Sequence, residues 1–123
     1  MMEDLELLEN KKMNVLSKKI VLSSHKSTIV VDLTEIEYLS ANGCYTIFYF
    51  NNNNEFVTSK PISYYSKLLE NSDFIRIHHK YIINIKYLEE IFNGTPFKIK
   101  LSSGKILPVT RFKKNDFMKF FIH

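Results

Sequence analysis

The stretch Phe74-Ile75-Arg76-Ile77-His78-His79-Lys80-Tyr81-Ile82-Ile83-Asn84 places a run of cationic and titratable side chains between two apolar blocks. A strand with one face in water alternates polar with apolar residues. Here hydrogen-bond donors interrupt a segment that otherwise favours burial. Such local breaks of pattern are where functional residues concentrate.

Working outward, strand signals continue on both sides. Downstream lie Tyr87 to Phe92, the turn Asn93-Gly94, Phe97 to Leu101, the turn Ser102-Ser103-Gly104, and a last strand from Ile106 to Val109. Phe97, Ile99 and Leu101 alternate with Lys98 and Lys100, a half-buried strand with its lysines in water. Phe112 to Phe121 can close as a short helix, with Phe117 and either Phe120 or Phe121 facing the core. Upstream, Lys19 to Leu22 and Thr28 to Val31 flank Ser-Ser-His-Lys-Ser as a hairpin. Asp32 to Glu37 reads as one helical turn or a tight bend with Asp32 as its N-cap. Tyr38 to Ala41 is a strand, Asn42-Gly43 a turn, Cys44 to Phe50 a strand, and Asn51 to Asn54 a polar turn before Glu55 to Ser59. One early helix is expected, over about Ile62 to Asn71 and opened by Pro61. Ile62, Tyr65, Leu68 and Leu69 give it one apolar stripe. The expected fold is mostly β, built of small antiparallel sheets with one or two short helices. There is no internal repeat and no βαβ rhythm.

The 123 residues amount to one domain, 18–123, behind an arm or linker, 1–17, whose Leu5, Leu7, Leu8, Val15 and Leu16 could form a short helix. An apolar content of 45% with three glycines and three prolines fits an ordered globular chain. No apolar run approaches the roughly 18 residues that cross a bilayer. The start, Met-Met-Glu-Asp-Leu-Glu, is acidic where a secretory signal would be basic. With Cys44 as the single cysteine, no intrachain disulfide can form, and a cytoplasmic location is expected.

Net charge is +4, unevenly distributed. Of 17 basic and 13 acidic residues, the first ten positions hold four acids and no base, which leaves 17 against 9 beyond them. From Lys98 onward, Lys98, Lys100, Lys105, Arg111, Lys113, Lys114 and Lys119 face Asp116 alone. A basic third of this kind suits a polyanion; it equally suits a solvated surface.

Residues able to carry catalysis are scarce. Three scattered glycines make no phosphate cradle. Cys44 has only distant His78 or His79 as a base. His78, His79 and Asp73 lack metal-site geometry, because neighbours on a strand point to opposite faces. Neither enzymatic activity nor a cofactor or metal is expected. The remaining polar clusters are Asn42-Gly43-Cys44-Tyr45, His78-His79-Lys80 and Thr110-Arg111-Phe112-Lys113-Lys114. All supply donors at strand ends or turns, where binding residues usually sit. Arginine pairs bidentately with guanine, and lysine acts as a point charge on phosphate.

At these residues the chain resembles the LytTR-type DNA-binding domains. Glu35-Ile36-Glu37-Tyr38-Leu39-Ser40-Ala41-Asn42-Gly43-Cys44-Tyr45 is similar to the family's D-I-x-Y-I-E-A-x-G-x-Y. Phe74 to Asn84 is similar to F-x-R-x-H-R-S-Y-I-V-N, and Leu107-Pro108-Val109-Thr110-Arg111 to L-P-V-S-R. The helix at Pro61 to Asn71 falls where the family has L-x-x-L-E-x-x-L. The likeness runs from about Lys18 to Phe121. His79 and Lys80 replace the usual Arg-Ser, and Glu35 replaces the common Asp.

The resemblance implies an elongated arrangement of small β-sheets that binds duplex DNA through loops, reaching successive major grooves and the minor groove between them. Carried over by position, Asn42, Gly43, Cys44, Tyr45, His79, Lys80 and Arg111 would contact bases, and Lys113 and Lys114 would grip phosphates. It further implies a bacterial transcription regulator of the response-regulator, two-component type. Two copies would lie side by side on paired direct repeats, under an upstream signalling protein and without a membrane partner. From the residues alone two other readings stay open. One is a single-stranded nucleic-acid binder stacking bases on Tyr45, Phe48 and Tyr49; the other is an interaction module whose basic face docks an acidic protein or membrane. Residue by residue, the plainer alternatives are a surface ion pair for Arg111, solvated strand ends for His79 and Lys80, a hydrogen bond within the fold for His78, and packing for Cys44.

Overall fold

The computed structural model describes residues 18–121; the arm and its leucines lie outside them. Among these described residues, ten strands form three antiparallel sheets. β1 (Lys19–Ser23) and β2 (Thr28–Asp32) make a two-stranded ribbon. β3 (Ile36–Asn42), β4 (Tyr45–Phe50), β5 (Glu55–Thr58), β6 (Phe74–His78) and β7 (Tyr81–Asn84) make the central sheet, ordered β5-β4-β3-β7-β6. β8 (Leu88–Phe92), β9 (Lys98–Leu101) and β10 (Ile106–Pro108) make the third, ordered β10-β9-β8. Two helices complete the fold, α1 (Ile62–Leu68) and α2 (Arg111–Lys119). No helix among the described residues is long and apolar enough to cross a membrane.

Both faces of the central sheet are buried, so its inner strands are apolar on alternate sides. On one face Leu39, Phe48, Phe74 and Ile82 pack against Ile20, Leu22 and Val31 of the ribbon, Ile62 and Tyr65 of α1, and Leu69, which caps that helix. On the other, Tyr38, Ile77 and Ile83 pack against Phe97, Ile99, Leu101 and Leu107 of the third sheet region and Phe117 of α2. Neighbours Leu39 and Tyr38, and Ile82 and Ile83, therefore feed different cores. Two β-bulges adjust this alternation. The register slips between Ile36 and Tyr38, which lets Ile36 join the first core although Tyr38, two residues on, joins the second.

Most expected elements are present. Asp32 caps a single 3-10 turn, Leu33–Glu35, by accepting from the Thr34 amide at 3.0 Å. The stripe on α1 needs one correction. Ile62, Tyr65 and Leu69 are buried, whereas Leu68 is 53% exposed. At 100° per residue, Leu68 lies about a quarter of a turn off the line through the other three. Lys98 is in water as expected, while Lys100 reaches both Glu89 and Glu90 at 3.4 Å. In α2 Phe117 is fully buried, Phe121 packs beside it, and Phe120 is exposed.

Two buried polar residues fasten the sheets. Asn84 donates to the carbonyls of Ile36 at 2.9 Å and Leu33 at 3.4 Å, and accepts from the Lys86 amide at 3.1 Å. Glu37 accepts from the Ser103 amide at 3.0 Å, tying β3 to the β9–β10 turn.

Candidate nucleic-acid interface

Strand direction decides where the donor-rich turns emerge. β3 rises to Asn42, reverses through Gly43-Cys44 and returns as β4 from Tyr45. Gly43 has φ +61°, left-handed backbone that favours glycine, and no atom stands within 4 Å of a Cβ placed there. The demand is thus conformational, as at the first central position of a type II′ hairpin. Cys44 and Tyr45 are exposed on this tip, Tyr45 by 53%.

The second turn is His79-Lys80, between β6 and β7. β7 pairs antiparallel with β3, Ser40 opposite Tyr81, so both turns leave the same end of the sheet. The Ala41 amide donates to the Lys80 carbonyl at 2.8 Å and ties them together.

This turn is braced from below. Arg76 donates from Nε to the His78 carbonyl at 3.3 Å and from Nη2 to the His79 carbonyl at 2.6 Å. The His78 Nδ1 accepts from the Lys80 amide at 3.1 Å, so this histidine bonds within the fold. Burial lowers its pKa, and the charges of His79, Lys80 and Arg76 push the same way. The second bulge, between Arg76 and His78, sets His78 opposite Tyr81, with ring centroids 5.5 Å apart. One expectation changes here: the His78 and His79 rings do not diverge but stack, 4.2 Å apart and 30° from parallel. His79 has already left the strand for the turn, so strand alternation no longer governs it. Among the described residues, no three His, Cys, Asp or Glu side chains group as a metal site.

Arg111 arrives at the same end from the other core. The Thr110 amide donates to the Ile77 carbonyl at 2.9 Å, which joins the start of α2 to the end of β6. Arg111 and Lys114 are exposed and Lys113 half-buried in the first turn of α2. The Lys114 ammonium rests over the Phe97 ring, 4.7 Å from its centroid. The nine residues singled out from sequence thus fall in three neighbouring places at one end of the molecule. Arg76 was legible as a cation but not as a brace, because both of its partners are main-chain carbonyls brought round by a turn.

Four carboxylates stand at the opposite end of the central sheet, while Asp116 lies on α2 with Arg111. Glu35 and Glu37 stand where β3 begins, Glu55 where β5 begins beside Tyr49, and Asp73 just before β6. Of the aromatic residues on β4, Phe48 is fully buried and Tyr49 stacks on Tyr38 at 4.2 Å and 9° from parallel, leaving Tyr45 alone exposed.

The LytTr DNA-binding domain family matches residues 26–122. This chain belongs to that family. Membership makes it a DNA-binding module, and three similar proteins place it further. It is 31% identical over 97 residues to the sensory transduction protein LytT of Bacillus subtilis (strain 168), covering 76% of this chain and 39% of that protein. It is 38% identical over 79 residues to the transcriptional regulatory protein LytR of Staphylococcus aureus (strain N315), covering 62% of this chain and 31% of that protein. This chain therefore corresponds to a third or so of those regulators. Among solved structures, a LytTr DNA-binding domain from Bacillus cereus has the same fold, with a TM-score of 0.70, 21% identity, and coverage of 82% of this chain and 94% of that one. The LytTr match begins at Lys26, within the β1–β2 turn, and so takes in both turns and the start of α2 at the donor-rich end.

Proposed function

We propose that this LytTr domain binds duplex DNA site-specifically as the output part of a transcription regulator, without doing chemistry on the nucleic acid. The observation that carries this reading is the convergence of the Gly43-Cys44 turn, the His79-Lys80 turn and the start of α2 at one end of the sheet, with Glu35, Glu37, Glu55 and Asp73 at the other. Exposed cations that outnumber a single acid, Asp116, favour a polyanion. Five strands at about 4.8 Å spacing make that end about 20 Å wide. A row of that width overlaps more than one groove of B-DNA, whose major groove is about 12 Å across. Arg111 is assigned to a base edge, His79, Lys80 and the Asn42–Tyr45 tip to neighbouring groove contacts, and Lys113 and Lys114 to phosphates. Paired direct repeats, two copies on the DNA and control by an upstream signalling protein in the bacterial cytoplasm belong to the same proposal.

A single-strand binder needs a platform of exposed aromatic rings, and on β4 only Tyr45 is free. Selection of bound duplexes from a random pool, at about 150 mM salt where phosphate contacts weaken, tests the reading. Recovery of a repeated short motif spaced near one helical turn is the expected result. Recovery of no motif, with binding lost as salt rises, would reduce the site to a basic surface.

A further inference from the structure

We infer that the β1–β2 turn and the start of α1 form an additional phosphate-binding flank, with Lys26 and Lys60 as its cations, on the side of the interface opposite Arg111. This deepens the duplex-DNA reading above and rests on it. In the central sheet β6, beside α2, lies at one edge and β5 at the other. β5 ends at Thr58, opposite Thr46 near the start of β4, so its last residue lies at the donor-rich end. Two hydrogen bonds extend that end past the edge strand. The Thr46 hydroxyl donates to the Lys60 carbonyl at 2.8 Å, and the Ser59 amide donates to the Ser23 carbonyl at 3.4 Å. The second bond brings the β1–β2 turn, with His25 and Lys26, alongside Ser59.

The turn is already shaped. The Ser24 amide donates to the Ser27 carbonyl at 2.9 Å, and the Ser24 hydroxyl oxygen accepts from the Lys26 amide at 3.2 Å and the Ser27 amide at 3.3 Å. A cation on a braced turn binds with less ordering cost than one on a loose loop. Lys60 is similarly placed, its ammonium resting 4.7 Å from the Tyr64 ring centroid. Between the β1–β2 turn and β5 runs a groove lined by Lys26, Tyr45, Ser59 and, further along, Glu55. Glu55 pairs with Tyr49, at the far end of β5 from Thr58. The end of the groove nearest the Gly43-Cys44 turn therefore holds the cations and the Tyr45 ring, and the carboxylate of Glu55 sits away from it. Lysines reading no base edge suit phosphates, as point charges.

The test is the salt dependence of binding for the double variant Lys26→Ala/Lys60→Ala, on the selected duplex and on a scrambled one. Both side chains are exposed. Loss of two phosphate contacts should make the log–log salt slope shallower by about 1.8, and weaken binding on the order of tenfold at physiological salt. The two duplexes should be affected equally, so sequence preference stays at its wild-type ratio. Lys105→Ala removes one charge from the β9–β10 turn at the opposite end, and its slope should equal that of the wild type. A double variant with the wild-type slope overturns this inference alone, provided that the wild type still selects a motif. A wild type that selects none overturns the underlying reading instead.

Discussion

Arg76 and His79 meet at 2.6 Å, guanidinium Nη2 to main-chain oxygen, so a side chain on β6 holds the turn that follows it. The Nε of the same residue donates to the carbonyl of His78, and His78 in turn accepts from the amide of Lys80. Three residues of the turn are thereby fixed from one arginine and one imidazole, leaving the Lys80 side chain exposed.

A lysine at position 76 would carry its donors on one flexible ammonium and lack the rigid planar fork that meets both carbonyls. Arg76→Lys should lower stability by about 0.5–1.5 kcal/mol, the net worth of one hydrogen bond lost while the charge is kept. DNA affinity should fall further than stability does. Equal DNA binding by folded Arg76→Lys and wild type would show that the brace has no part in the interface.

Arg111→Ala should cost about 1–3 kcal/mol in binding and relax preference at one base position. Selection repeated with the variant reads this directly, as one column of the motif losing its bias. A uniform loss over all positions would instead make Arg111 a phosphate contact.

The lowered pKa of His78 has a definite consequence. An unfolded histidine titrates near 6.5, so below that pH the unfolded chain binds more protons than the folded one. The stability linked to His78 is therefore present above about 6.5 and is lost as pH falls through the folded value. Protonation would also occupy the Nδ1 that accepts from Lys80. Melting temperature across about pH 5 to 8 should fall on the acid side, and His78→Asn should flatten the curve. Identical curves would separate His78 from the pH response.

Asn84 is buried, and all three of its hydrogen bonds go to the main chain. Asn84→Leu leaves those groups without a partner, at a cost of about 1–3 kcal/mol. The shift should appear in the denaturant midpoint with the slope unchanged.

At Gly43 the left-handed backbone sets the requirement, since space around it is open. Gly43→Val should destabilise by about 1–2 kcal/mol, and Gly43→Asn by less, because asparagine tolerates that region. If the two variants melted alike, the turn would have to adopt another form.

Much of this was legible because it is local. Asp32 followed by Leu33 and Thr34 announces a cap, and Asn42-Gly43 announces a hairpin whose type follows from one glycine. Phe97, Ile99 and Leu101 declare a strand by alternation, and Ile62, Tyr65 and Leu69 declare a helical face. Leu68 is apolar yet faces water, because its angle on the helix takes it off that face. The stacking of His78 on His79 was hidden because the place where the strand stops being regular depends on a bulge.

The amino-acid sequence alone determined the strands, the turns, the two helices and the residue types at their ends, since these depend on periodicity and backbone preference over a few neighbours. Tertiary structure decided that Gly43-Cys44, His79-Lys80 and Arg111 share one end, and that the β1–β2 turn reaches the far flank of that end. Those positions rest on strand order and on single hydrogen bonds between distant segments, Ala41 to Lys80, Thr110 to Ile77 and Ser59 to Ser23. The physical reason is burial: a sheet with two apolar faces needs cover on both, and covering them brings the ribbon to one flank and α2 to the other.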